Sequence, residues 1–135
     1  MGTTVFLQKF VGGEEVTVPF GPVVEFLSKY GTPGRGLGSL EVTFPPDEIA
    51  EVANVIGDEK SGVACLGLER PVFGDCFRQF AFEAMEKFGF AFFDDSLDSV
   101  YALNCGIEDF PEPIRLESEN GIKRIANFHE IWPEP

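Results

Sequence analysis

The most regular hydrophobic pattern in the chain lies within residues 62–103. Residues 62–68 form a short apolar run in which neither the odd nor the even positions are polar, which is typical of a strand covered on both faces. A helix over residues 75–88 follows, with Asp75 as its cap and Gly89 at the position where a left-handed residue closes a helix. Its predicted buried stripe consists of Phe77, Phe80, Ala81, Ala84 and Phe88.

Apolar runs on either side of this helix predict further strands. Residues 90–93 and 99–103 indicate two strands joined by the acidic turn 94–98. Near the start of the chain, the runs 5–11 and 14–18 are separated by two glycines. This spacing predicts a hairpin, because a two-residue hairpin turn needs backbone with positive φ.

Two more helices are predicted in the first half of the chain, over residues 22–30 and 46–56, each beginning near a proline and followed by a glycine. The buried stripe of the second would be Ile49, Val52, Ala53 and Ile56. A short strand, residues 41–44, lies between them. The glycine-rich residues 31–39 are expected to form a mobile surface loop, since a phosphate-binding loop would have to follow a strand and open a helix.

The C-terminal part of the chain has a weaker pattern. An Asn-Gly dipeptide at 120–121 separates residues 114–117 from residues 122–125, and this favours a second hairpin. A helix beginning at Ser118 is the alternative, because the apolar residues also fit a helical spacing. Trp132 is expected to anchor the tail, since a large indole gains little from an exposed terminus.

Together these elements predict an α+β fold, with residues 1–135 as a single domain. Strand pairs joined by tight turns favour a mostly antiparallel sheet of about five to seven strands, with three helices packed on it. A chain of 135 residues with 44% hydrophobic residues and 15 phenylalanines can build a core without disulfides or metal.

The charge narrows the classes of partner. The net charge is -13, with 23 acidic and 10 basic residues. Nucleic acid and anionic membranes would be repelled, whereas a cationic protein would be attracted. The chain has no apolar run of membrane-spanning length and no signal-peptide pattern at its start, so we expect a soluble cytoplasmic protein, as a monomer or homodimer.

Residues that often carry chemistry are sparse. Cys65, Cys76 and Cys105 match no zinc or redox spacing, and their odd number favours free, buried or half-buried thiols without an intramolecular disulfide. His129 is the single histidine, and no cysteine or serine stands at a glycine-flanked strand-to-helix turn. The sequence therefore predicts no catalytic residue and no cofactor, although acid–base work by paired carboxylates stays open.

One acidic turn has part of a metal-binding pattern. Asp94, Ser96 and Asp98 alternate as calcium-loop ligands do, but Ser99 and Cys105 occupy the places of the required glycine and glutamate. We therefore predict no metal site there. Elsewhere, Arg70 directly follows a predicted strand, where it could form a buried structural pair with a carboxylate.

The leading functional prediction is a small acidic binding protein that occupies a cationic surface of its partner, without a catalytic role. Bacterial immunity proteins and antitoxin-like inhibitors of toxins are of this general kind, and charge complementarity would steer their association. The binding site is predicted on the two densest acidic loops, with Phe110 as an apolar anchor or, alternatively, packed inward. The predicted contact residues are Asp94, Asp95, Asp98, Glu108, Asp109, Phe110 and Glu112.

Two other functions are compatible with the pattern. A small-molecule-binding or enzymatic domain would have a pocket between helix and sheet, lined by Phe80, Phe88, Phe90 and Phe92. An oligomeric structural protein would pair through a sheet edge or through the tail, and would show an apolar two-fold patch.

Overall fold

A computed structural model describes residues 3–35, 40–118 and 121–132. Within these ranges the helices are α1 (Phe20–Ser28), α2 (Asp75–Phe88) and α3 (Glu112–Glu117). The strands of the same ranges are β1 (Thr4–Val11), β2 (Glu14–Val16), β3 (Thr32–Arg35), β4 (Leu40–Thr43), β5 (Val52–Asp58), β6 (Gly62–Glu69), β7 (Ala91–Asp94), β8 (Val100–Ala102) and β9 (Ile122–Arg124). Short 3-10 turns cover Ile107–Asp109 and Phe128–Glu130.

All nine strands of the described residues belong to one sheet, so this part of the chain forms a single α+β domain as predicted, with more strands than the five to seven expected. The order is β3-β4-β5-β6-β1-β7-β8-β9, and β2 adds to the end of β1 through the predicted hairpin. The two turn glycines, Gly12 and Gly13, have φ of 60° and 84°, a backbone that other residues rarely adopt. Among the described strands, every pairing is antiparallel except that of β8 with β9, which is parallel.

The first face of the sheet is covered by α1 and α2 and holds the larger core. In α2 the predicted stripe is buried as expected, and Gly89 ends the helix in the left-handed conformation. Phe80 lies at the centre, with ring centroids 5.5 Å from Phe26, 5.1 Å from Tyr30 and 5.4 Å from Phe44. Asp75 is the first helical residue and not the cap, which is Gly74.

The described residues cover the second face of the sheet over only part of its width. Residues 106–118, hereafter the covering segment, lie over the side formed by β7, β8, β9 and the end of β1. They close a smaller cluster whose fully enclosed members are Phe10, Ala91, Val100, Ala102, Cys105 and Phe110. Phe93, Leu97, Ile114 and Ile122 pack against its border. Two hydrophobic layers therefore share one sheet.

A buried arginine fixes the C-terminal tail to α2. The Arg78 guanidinium donates to the carbonyls of Ile131 (2.8 Å) and Trp132 (2.7 Å) and pairs with Asp75 (3.1 Å). The indole of Trp132 stacks on Phe77 at 5.3 Å. The prediction that Trp132 anchors the tail is confirmed, although the sequence pattern did not identify Arg78 as its partner.

The predicted helix over residues 46–56 is wrong. Residues 52–58 form β5, which pairs with β4 and β6. Ala53 and Val55 are buried on the first face, while Val52 and Ile56 lie on the second. Because both faces of this strand carry apolar residues, the run fits a helical stripe as well as a strand, and pairing with two neighbours decides the outcome.

The predicted C-terminal hairpin is also wrong, and so is the alternative helix from Ser118. Residues 112–117 form α3, which starts after Pro111 with a further proline inside its first turn, a position that proline favours. Residues 122–124 form β9 and pair in parallel with β8. Of the Asn-Gly dipeptide, Asn120 lies outside the described residues, and Gly121 has φ 76°.

Candidate functional site

The first predicted acidic loop, the turn 94–98, is held in place by its own carboxylates. Asp94 is buried, and it accepts from the Ser99 amide (3.1 Å) and the Ser96 hydroxyl (3.1 Å). The same hydroxyl lies 3.0 Å from Asp98, so its single proton is shared between the two carboxylates. The Asp95 amide donates to the Thr4 carbonyl at 3.0 Å. Asp95 and Asp98 are exposed, so they can meet a partner, whereas Asp94 supports the turn from within.

The second acidic loop is held by Asp109. Its carboxylate accepts from the amides of Gly12 (3.0 Å) and Gly106 (2.8 Å), and its carbonyl accepts from Gly13 (3.0 Å). These hydrogen bonds favour the charged form and hold the pKa of Asp109 below its ordinary value. Asp109 thus ties the covering segment to the β1–β2 turn, while the side chains of Glu108 and Glu112 are exposed.

Phe110 is not an exposed anchor. Its ring is fully buried in the smaller cluster, 5.4 Å from the ring of Phe10, so the inward-packing alternative is the correct one. Other apolar side chains of the covering segment are exposed instead: Ile107 is 52% exposed and Leu116 is 76% exposed. Glu112 and Leu116 are one helical turn apart and share a face of α3.

The two acidic loops are tied to opposite ends of β1. Asp94 lies opposite Val5, whereas Asp109 binds the turn at Gly12. At about 3.4 Å per residue, these attachment points are roughly 24 Å apart. The loops do not form one compact acidic cluster. Both contribute to the same covered cluster, Leu97 at its border and Phe110 in its interior.

The side of the second face that the covering segment leaves uncovered is formed by β3, β4, β5, β6 and the start of β1, hereafter the open half. Residues that pair directly across antiparallel strands project from the same face. The pairing places these side chains on the open half: Thr4, Phe6, Glu41, Thr43, Val52, Asn54, Ile56, Cys65 and Glu69. Each of them is exposed or half-buried. The sequence pattern did not identify this surface, because β5 was predicted as a helix.

The cysteines are all free, as predicted. Cys65 is half-buried and Cys105 is buried, but Cys76 is exposed, contrary to the expectation of half-burial or more. Burial raises the pKa of the Cys65 thiol, and the charge of Glu15 raises it further. Burial likewise raises the pKa of Cys105. Raised values favour the neutral thiol, which is the opposite of what a nucleophilic cysteine needs.

The side chains of His129 and Tyr30 both have structural partners. His129 is exposed in a 3-10 turn, with its ring 4.0 Å from that of Phe128. The hydroxyl of Tyr30 donates to Glu83, and burial together with this carboxylate raises the pKa of Tyr30 to about 12. Among the described residues, no group of three or more histidine, cysteine, aspartate or glutamate side chains is placed to hold a metal ion.

The predicted phenylalanine-lined pocket is filled by the core. Phe80, Phe88, Phe90 and Phe92 are buried, and each packs against another aromatic ring. A groove of about 930 Å³ lies elsewhere, between the start of α1 and the turn joining β5 to β6. A smaller recess of about 300 Å³, at one end of the open half, is lined by Thr3, Thr4, Glu51, Glu69 and Arg70.

The sequence predictions for Arg70 and for the glycine-rich segment 31–39 both differ from the structure. Arg70 pairs with Glu51 at 3.2 Å, but both side chains are exposed, so the predicted buried pair is wrong. In the glycine-rich segment, Thr32–Arg35 forms the edge strand β3 in place of a loop. Residues 36–39, with the rest of that predicted loop, lie outside the described residues.

In the described part of the chain, no helix has the length and apolar character needed to cross a membrane. No protein-family model, curated protein or solved structure matches this chain.

Proposed function

We propose that the protein is a small acidic binding protein that occupies a cationic surface of a protein partner. The kind of protein that fits this proposal best is an immunity or antitoxin-like inhibitor that covers the functional surface of a bacterial toxin. Its net charge of -13 gives it a long-range attraction for a basic partner. Such attraction raises the association rate and selects among partners.

The observation that supports this proposal most strongly is the composition of the covering segment. Ile107 and Leu116 are exposed there beside the exposed carboxylates of Glu108 and Glu112. Apolar side chains within a charged rim are the usual arrangement at protein interfaces. Hydrogen bonds from the amides of Gly12 and Gly13 to Asp109 fix the segment to the β1–β2 turn. It therefore offers a preorganised surface, which lowers the entropy lost on binding.

The predicted contact set is refined accordingly. In the proposal, Asp95, Asp98, Glu108 and Glu112 contact the partner, since their side chains are exposed. Asp94, Asp109 and Phe110 are placed in supporting positions by their burial or their backbone hydrogen bonds. Ile107 and Leu116 take over the anchoring role first given to Phe110.

The test takes the products of the genes that flank this protein's gene, purifies each one that carries a net positive charge, and mixes it with this protein in stopped flow over a range of salt concentrations. A partner should bind with an association rate that falls steeply with salt. The double variant Glu108→Gln/Glu112→Gln should slow association several-fold and flatten the salt dependence. Glu25→Gln/Glu86→Gln, which removes the same charge from exposed positions of α1 and α2, should change the rate less.

Two results would contradict the proposal. One is that none of these basic proteins binds at physiological salt. The other is that both double variants slow association equally, because the attraction would then depend on net charge alone and not on this surface.

A further inference from the structure

We propose that the open half of the second face is the floor on which the basic partner docks, beside the covering segment. This inference rests on the proposed function and assigns it a surface that the acidic loops alone do not provide. The occupant is a protein that presents arginine or lysine side chains around an apolar centre. Three properties of the open half support this assignment: its side-chain composition, its continuity with the covered cluster, and its negative charge.

The composition of the open half is unusual for a sheet face left in water. Antiparallel sheets that have one solvated face normally alternate apolar inward and polar outward residues. Here Val52, Ile56, Phe6 and Cys65 lie on the outward side, and Ile56 is 47% exposed. The ring of Phe6 lies over Gly67, where an added Cβ would meet it at 3.7 Å. These side chains form an apolar floor that another protein surface can cover.

The floor is continuous with the part of the face that the chain covers itself. The ring of Phe6 stacks on Phe93 at 5.4 Å, Phe93 lies 6.0 Å from Phe10, and Phe10 lies 5.4 Å from Phe110. This row of rings runs from the open floor into the cluster beneath the covering segment. The covering segment thus forms a wall beside the floor, and a docked partner would contact both.

Charged groups on the floor specify a basic partner. Glu41 and Glu69 project from the open half, and the pairing of Glu15 with Phe10 places Glu15 on the same face. Asn54 orients Glu69 by donating to it at 2.8 Å. The recess of about 300 Å³ is lined by Glu69 together with the Glu51–Arg70 ion pair, so its net charge is negative and it attracts a basic side chain. Arginine is the natural ligand, because its guanidinium can bind a carboxylate through two parallel hydrogen bonds.

A second copy of the chain fits this surface poorly. A two-fold interface would place the same patch on both sides, so the glutamates of one copy would face those of the other. Strand addition at the sheet edges is also disfavoured. Pro33 in the edge strand β3 has no amide to donate, and Lys123 and Arg124 charge the opposite edge strand β9. The remaining binding mode is a basic protein that lies across the open half.

The test is an NMR titration of the assigned protein with a twelve-residue peptide that alternates arginine and leucine. The same peptide with glutamate in place of arginine is the control ligand. We expect saturable amide shifts along β4, β5, β6 and the start of β1, and no shifts with the glutamate peptide. Val52→Thr/Ile56→Thr keeps β-branched residues but removes the apolar contact. Glu41→Gln/Glu69→Gln removes the charge, and each double variant should weaken binding about fivefold or more.

The control variant Glu25→Gln/Glu86→Gln should leave the binding constant close to that of the wild type. Shifts centred on the acidic loops would overturn this inference while leaving the proposed function standing. Equal weakening by all three double variants would overturn it as well, since binding would then follow net charge. Absence of saturable shifts anywhere would count against both proposals. A dimer formed through this face, seen in sedimentation of the protein alone, would replace the basic partner with a second copy.

Discussion

Both halves of the second sheet face carry apolar side chains, but these are covered in one half and remain accessible in the other. In one half, Phe93, Val100 and Ile122 lie beneath the covering segment. In the other half, Phe6, Val52 and Ile56 remain exposed or half-buried. The strands therefore carry apolar residues on both faces, and the described residues cover only part of the second face. This difference is the reason to place a partner on the open half.

The two covered regions also differ in depth. On the first face, the 14-residue helix α2 buries a continuous stripe of phenylalanines. On the second face, the cover is a short 3-10 turn and the six-residue helix α3, which have no fully buried residue of their own. Phe110, between these two short elements, is the ring that closes the smaller cluster. Mutations in the two regions should therefore differ in their cost.

The largest effect is expected from Phe80→Ala in the core of the first face. This change removes a ring that packs against Phe26, Tyr30 and Phe44 and leaves a cavity in a region that cannot easily collapse. We expect the free energy of unfolding to fall by about 3–5 kcal/mol in chemical denaturation. Gln79→Ala, at the exposed neighbouring position of α2, should be close to neutral, and a near-neutral Phe80→Ala would contradict the assigned core.

A smaller loss is expected from Phe110→Ala beneath the covering segment. Phe110 is fully buried, but its described ring contact is with Phe10, and the short cover above it can relax. We expect a loss of about 1–3 kcal/mol. The exposed Leu116→Ala should be the milder change in the same segment. If Phe110→Ala cost as much as Phe80→Ala, the two regions would not differ in the way described.

The smallest effect concerns the pH dependence of the hydrogen bonds that hold the covering segment. The amides of Gly12 and Gly106 keep the pKa of Asp109 below its ordinary value near 3.8. A lowered folded pKa means that this contribution to stability is present above pH 3.8 and is lost as the pH falls further through the folded value. Asp109→Asn should therefore flatten the acid limb of the stability curve. Glu108→Gln removes a nearby exposed charge and serves as the control, and equal curves for Asp109→Asn and wild type would contradict the linkage.

The sequence was most informative where a local pattern agreed with the packing found in the structure. The phenylalanine spacing and Gly89 predicted α2, and the two glycines at 12–13 predicted the first hairpin. Prediction failed at residues 52–58, since apolar residues on both strand faces mimic a helical stripe. Because the open half depends on that strand, the surface could not be predicted either.

The acidic loops were only partly predictable. Composition identifies Asp94, Asp109 and Phe110 as members of dense acidic stretches, but it does not show which way their side chains point. The structure turns Asp94 and Phe110 inward and binds Asp109 to backbone amides. These orientations depend on contacts with Val5, Phe10 and Gly12, which are about 90 or more positions away in the chain and leave no local pattern.

The most direct test of the central claim uses the protein's own cysteines. Cys65 lies on the open half of the second face. Cys76 is exposed on α2, which covers the first face of the sheet. The rate of alkylation of each thiol by iodoacetamide would be measured by mass spectrometry, with and without the bound basic partner. Alkaline pH is needed, because burial raises the pKa of the Cys65 thiol. If the partner docks on the open half, it slows alkylation of Cys65 and leaves that of Cys76 unchanged. An unchanged rate at Cys65 in the formed complex, or protection of Cys76 instead, would contradict docking on the open half.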